Sequence, residues 1–140
     1  HFLRLLRWRD EGFRPALIFD IGANAGEWSA MCQHLFSPQR IVLFEPQPLL
    51  QQEIARRHPR VKEFWQIVPV ALGDRDESTT LYLTQSRAAS SLLEPLANLN
   101  LERGSTQPAG QIEIQVTSTW YGRQPKAVTV TTVHSLEIRD

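Results

Sequence analysis

The stretch from Phe19 to Trp28, "FDIGANAGEW", decides how the rest of the chain is read. Together with the preceding residues it makes "ALIFDI", a short apolar run interrupted only by Asp20. Such a run suits a central strand of a parallel sheet, covered on both faces. A tight turn accounts for one glycine. It does not account for an acid at the tip of a buried strand, followed by Gly22 and then by Gly26 four residues on.

Outward from this turn the chain alternates. Trp28, Met31, Cys32, Leu35 and Phe36 recur at the spacing of one helical face. "SPQ" breaks that helix, and "RIVLFEP" is a second apolar strand ending on an acid, Glu45. Pro48 suits a helix first turn, with Leu50, Ile54 and His58 following on one face as far as "RRHPR". That basic cluster reads as a solvated helix end. "FWQIVPVALGD" supplies a third strand. Upstream, Phe2, Leu5 and Leu6 mark one face of a packing helix that Gly12 ends, a basic membrane-surface helix being the alternative. Strand, helix, strand, helix, strand is the rhythm of an α/β parallel sheet with right-handed crossovers.

Beyond Asp74 the texture changes. "TTLYLT" alternates as a half-buried strand does. Residues 85–110 are long, polar and aperiodic, as in a lid, a binding loop or a disordered segment. Within them "RAASSLLEP", Arg87 to Pro95, would cover a ligand or touch an acceptor. On the plainer reading it is a surface loop anchored to the core by Leu92 and Leu93. "QIEIQVTST" puts Ile112, Ile114 and Val116 on one face, and a β-hairpin joining it to "KAVTVTTVHSL" is expected.

Composition narrows the function classes. The 140 residues suit one domain, residues 1–140. Lys plus Arg and Asp plus Glu balance at 15 each, so there is no electrostatic footprint for nucleic acid. A single cysteine, Cys32, excludes an intrachain disulfide framework and a cysteine-based zinc cluster. The four histidines show no metal-ligand spacing, and no metal is expected. No apolar run approaches the roughly 20 residues of a membrane span, and "HFLRLLRW" lacks the marks of a secretory signal. A cytoplasmic protein with no membrane partner is expected. The residues set no oligomeric state.

The ligand of an open parallel sheet binds beyond the carboxyl ends of its strands. Gly22 would let a ligand approach bare backbone, and the amides at the helix start would meet an anionic group. A dinucleotide fingerprint, G-x-G-x-x-G, fails here because Asn24 and Glu27 occupy its second and third glycine positions. A P-loop fails for want of its lysine. Asp20 would repel a pyrophosphate and attract a cation. S-adenosylmethionine carries both an ammonium for this acid and a carboxylate for the amides. Glu45 would accept hydrogen bonds from two ribose hydroxyls, and it stands close to the roughly 20 residues expected between such a turn and a ribose acid. Nicotinamide enzymes use a similar acid, so Glu45 argues for a nucleoside in general. The bland alternatives are a turn-forming or capping Asp20, plain turn glycines, and an ordinary strand end at Glu45.

At this point the residues resemble a known family. "GFRPALIFDIGANAGEWS", "RIVLFEPQP", "VPVALGD", "ASSLLEP" and "VTVTTVHSL" stand in the order found in FkbM-type S-adenosylmethionine-dependent methyltransferases. The resemblance runs from about Gly12 to Leu136 and implies a class I methyltransferase (Rossmann-like) fold. It implies that Asp20, Gly22, Ala23, Asn24 and Gly26 hold the methionine part of the cofactor. Glu45 would hold the ribose, Pro46 would lie beside the adenine, and Asp74 would accept from the adenine amino group. The implied activity is O-methylation of a small-molecule hydroxyl, on a sugar or secondary metabolite. Where the family has an acid, this chain has His134, the candidate general base. His34 and His58, late on their helices, suit the helix dipole and need no catalytic role. The family continues into a further strand bearing K-I-D-x-E-G, and this chain stops at Asp140. The expectation is a domain truncated before its later core strands. The rival readings are a non-catalytic S-adenosylmethionine-binding or interaction module and an NAD-dependent oxidoreductase.

Overall fold

The computed structural model describes residues 2–61, 63–85, 90–93, 108–118 and 131–133. Three helices and seven strands alternate through them. α1 (Phe2–Asp10) precedes β1 (Leu17–Ile21), α2 (Glu27–Phe36), β2 (Arg40–Phe44) and α3 (Pro48–Arg57). β3 (Trp65–Val68), β4 (Ala71–Leu72), β5 (Glu77–Thr84), β6 (Pro108–Thr117) and β7 (Thr131–Val133) follow. The strands form two sheets, one of order β3-β2-β1-β7 and one of order β4-β6-β5.

The first sheet is parallel throughout. β1 and β2 are apolar apart from Asp20 and Arg40 because alternate residues serve two different cores. Ile18, Ile41 and Leu43 pack on one face with Cys32, Leu35 and Phe36 of α2, Ile54 of α3 and Leu5 of α1. Phe19, Val42 and Phe44 pack on the other with Val68, Val70 and Leu72, and the Phe19 and Phe44 rings meet edge-on at 5.8 Å. Phe13 ties α1 to α2 through edge contacts with Trp8 and Phe36. Of the helical faces read from spacing, Cys32, Leu35, Phe36, Leu50 and Ile54 are buried, and Trp28, Met31 and His58 are half-buried. Phe2, assigned to the packing face of α1, is instead 51% exposed.

Two strand assignments need correction. "FWQIVPVALGD" is two strands, not one. Pro69 has no amide to continue a ladder, so β3 ends at Val68 in the parallel sheet and β4 joins the second sheet through β6. Among the described residues, the expected hairpin between residues 111–119 and 126–136 also gives way to other pairings. β6 pairs antiparallel with β5, Ile112 opposite Leu81 and Ile114 opposite Thr79, whereas β7 pairs parallel with β1. Alternation in β6 reports one buried face, and the apolar row of β5 matches it. Leu81, Ile114 and Val116 form that small core with Ala71, Leu83 and Ile112 against it. Ser91 bridges to Tyr82 by two backbone hydrogen bonds of 2.8 and 3.0 Å, while Leu92 and Leu93 are exposed rather than anchored in the core. The rest of Arg87–Pro95, apart from Ser90, lies outside the described residues.

Among the described residues no helix is long and apolar enough to cross a membrane.

Candidate functional site

Period-two geometry brings the two acids together. Asp20 lies two residues beyond Ile18, and Glu45 two beyond Leu43, so both point to the helix-covered face. In the parallel register Asp20 stands beside Leu43. The ladder continues past the end of β1, with the Gly22 and Ala23 amides donating to the Phe44 carbonyl at 2.9 and 3.1 Å. The turn therefore lies directly over the end of β2.

Glu45 is buried and stitches the two strand ends together. One carboxylate oxygen accepts the Asn24 amide at 2.8 Å; the other accepts the Gln47 amide at 2.9 Å. Its backbone carbonyl accepts from the Gln51 side chain at 2.8 Å. Burial pushes the Glu45 carboxyl above its ordinary range; the Gln47 and Asn24 amides oppose that shift and the charge of Asp20 adds to it. Asp20 is equally buried, with the Ser29 hydroxyl of α2 donating to it at 2.6 Å. Directly below, burial and then the Asp20 charge push the Cys32 thiol up to about 12, leaving it a protonated, unreactive core group.

The turn takes its shape from three left-handed residues: Gly22 at φ 74°, Asn24 at 51° and Gly26 at 79°. Asparagine is among the few side chains that tolerate this region. The two glycines then differ. A Cβ on Gly22 would meet nothing within 4 Å, so the space above that backbone is open. A Cβ on Gly26 would come 3.2 Å from the Trp65 ring and 3.4 Å from His58. Gly22 offers access, and Gly26 lets a helix start against a wall.

The structure thus gathers Asp20, Gly22, Ala23, Asn24, Gly26 and Glu45 at one sheet end, with half-buried Pro46 next in line. It does not bring Asp74 to the rim of the first sheet. Because the third block splits at Pro69, Asp74 falls in an exposed turn after β4 of the second sheet. His134 lies outside the described residues. Sequence reading missed Ser29, Gln47 and Gln51, which hold the two acids in place. Only Ser29 carried a signal, a hydroxyl in the first turn of the helix that follows the acid.

No protein family matches the chain, and no curated protein matches it. Among solved structures it is similar to the crystal structure of the methyltransferase FkbM from Methylobacillus flagellatus KT, with a TM-score of 0.50 and 13% identity. That match covers 89% of this chain and 27% of the other, so the chain spans about a quarter of that protein's length. At this identity the likeness concerns fold. The α/β arrangement, a parallel sheet with helices between its strands, is shared with a methyltransferase.

Proposed function

We propose that the chain is the S-adenosylmethionine-binding part of a class I (Rossmann-like) methyltransferase of the FkbM type. The observation that carries this is the stitched rim: Asp20 and Glu45 on one face, beneath a turn whose first glycine is open to solvent. Two buried carboxylates make a poor seat for a pyrophosphate and a good one for a ligand that is cationic at one end and rich in hydroxyls at the other.

The residues fit that group. The Glu45 oxygens accept the Asn24 and Gln47 backbone amides, and the lone pairs left on the carboxylate would accept the ribose hydroxyls. Asp20, held by Ser29, sets a negative charge beneath the turn for the ammonium, directly or through water. Gly22 leaves bare backbone for the methionine part, with Ala23, Asn24 and Gly26 shaping the loop and Pro46 lying toward the base. When bound, the sulfonium supplies an activated methyl group and the driving force for its transfer. What the protein adds is orientation, holding an acceptor oxygen in line with that methyl. The acceptor class, a hydroxyl on a sugar or secondary metabolite, rests on the resemblance of the sequence blocks to this family.

Titration calorimetry with S-adenosylmethionine, S-adenosylhomocysteine and NAD tests the reading. Binding of the two sulfur nucleosides in preference to NAD is expected, and the reverse preference overturns it. Binding without methyl transfer to any hydroxyl acceptor would leave a cofactor-binding module in place of an enzyme.

A further inference from the structure

Glu45 and the Ala23 carbonyl account for one half of the turn. The other half is held from the end of α3, by a residue that the proposed function does not use. His58 closes that helix, its amide donating to the Ile54 carbonyl at 3.0 Å. Its ring leans on Trp65, with centroids 4.9 Å apart and planes at 44°. The Trp65 indole in turn donates to Gln33 of α2 at 3.4 Å. So braced, Nε2 of His58 lies 3.3 Å from the carbonyl oxygen of Ala25. A carbonyl only accepts, so this contact is a hydrogen bond when Nε2 carries the proton.

The Ala25 carbonyl and the Gly26 amide belong to one planar peptide unit. Its other end donates to the Ala23 carbonyl at 2.8 Å. With Nε2 protonated the unit is gripped at both ends, and it runs into Gly26, whose backbone is left-handed. Glycine restrains its neighbouring peptide planes less than any other residue. The grip therefore does what the local sequence cannot. Arg57, next to His58, ties the same helix end to the start of α2 through Glu27 at 3.1 Å.

We propose that His58 is a positioning residue for this turn: its Nε2–H fixes the Ala25–Gly26 peptide plane and so sets the direction of the backbone at the start of α2. The consequence for ligand affinity rests on the reading of the turn as the S-adenosylmethionine site; the consequence for the turn itself does not.

The test uses His58→Phe, which keeps a ring against Trp65 but removes the donor, and His58→Gln, which restores an N–H. In the ligand-free protein, amide exchange at Gly26 should quicken about tenfold in His58→Phe, the equivalent of one ordinary hydrogen bond. It should return toward the wild-type rate in His58→Gln. Unchanged exchange in folded His58→Phe overturns the proposal. Should that variant not fold, the imidazole nitrogen shifts of the neutral wild-type ring decide instead. An Nε2–H tautomer is expected, and an Nδ1–H tautomer overturns the role. If the wild type binds S-adenosylmethionine, His58→Phe should bind about tenfold more weakly and His58→Gln within about twofold of wild type. Equal affinity in His58→Phe would also overturn it. Failure of the wild type to bind S-adenosylmethionine would count against the proposed function alone, with exchange and tautomer still deciding the role of His58.

Discussion

β2 and β6 place their apolar residues by different rules. In β2 every residue from Ile41 to Phe44 is buried, because the sheet is covered on both faces and alternate side chains feed two cores. In β6 only Ile114 and Val116 are buried, and Glu113 and Gln115 between and beside them face solvent. The continuous strand makes a rigid end on which charged groups can be set. The alternating one makes a cover with a single dry side. The acids at the candidate site belong to the first kind of strand, where Asp20 within the end of β1 and Glu45 just past β2 both remain buried at the sheet end.

The contrast can be broken most directly by truncation. Phe44→Ala should cost about 3–5 kcal/mol of stability and Ile114→Ala about 2–3 kcal/mol, both read from urea unfolding. A larger loss at Ile114 would mean that the second sheet, not the parallel one, holds the main core. Next in size is the site. Glu45→Ala should weaken S-adenosylmethionine binding by about 1.5–3 kcal/mol for each charge-assisted bond lost. Asp20→Ala should weaken it too, with the fold largely kept. A calorimetric change below a few tenths of a kcal/mol in either folded variant would remove that acid from the site.

A finer probe is pH. Burial raises the folded-state pKa of Glu45 above its ordinary 4.5, so the folded protein holds this proton more tightly than the unfolded chain does. Its contribution to stability is then complete below the unfolded value and declines as pH rises from about 4.5 through the folded one. Glu45→Gln, which does not titrate, should lack that decline. The difference between wild-type and variant unfolding free energies should therefore slope with pH across this window, and a flat difference would refute the shift. The smallest effect belongs to the solvated face of β6. Glu113 accepts from the Ser78 hydroxyl, but Glu113→Ala should move stability by no more than about 0.5 kcal/mol. A cost comparable to that of Ile114→Ala would show that this face is not the open side.

How far the sequence could be read follows from the same distinction. "ALIFDI" and "RIVLF" announced central parallel strands because two-sided burial leaves its mark on every residue. The turn was legible for a similar reason, since Gly22, Asn24 and Gly26 are the residue types that left-handed backbone admits. Glu45 was legible as an acid at a strand end, but its tie to the Asn24 amide joins positions 21 apart and leaves no local trace. Partner choice was hidden as well. The alternation in residues 111–119 says that one face is dry, not that β5 supplies the neighbour, and both β5 and β7 offered alternating residues. Pro69 was a visible break that the apolar run around it concealed. His58 showed a helix end; its grip on Ala25 depends on Trp65, placed by a different strand.

The strand order carries a consequence for synthesis. β1, β2 and β3 come from one contiguous stretch, so they can pair as soon as that stretch leaves the ribosome. β7, which covers the remaining edge of β1, is encoded far downstream. Until it emerges, the strand bearing Asp20 exposes a row of unsatisfied amides and carbonyls in an apolar setting, the kind of edge that invites intermolecular pairing. A slow passage through residues 72–131 would lengthen the time for which this edge stands uncovered.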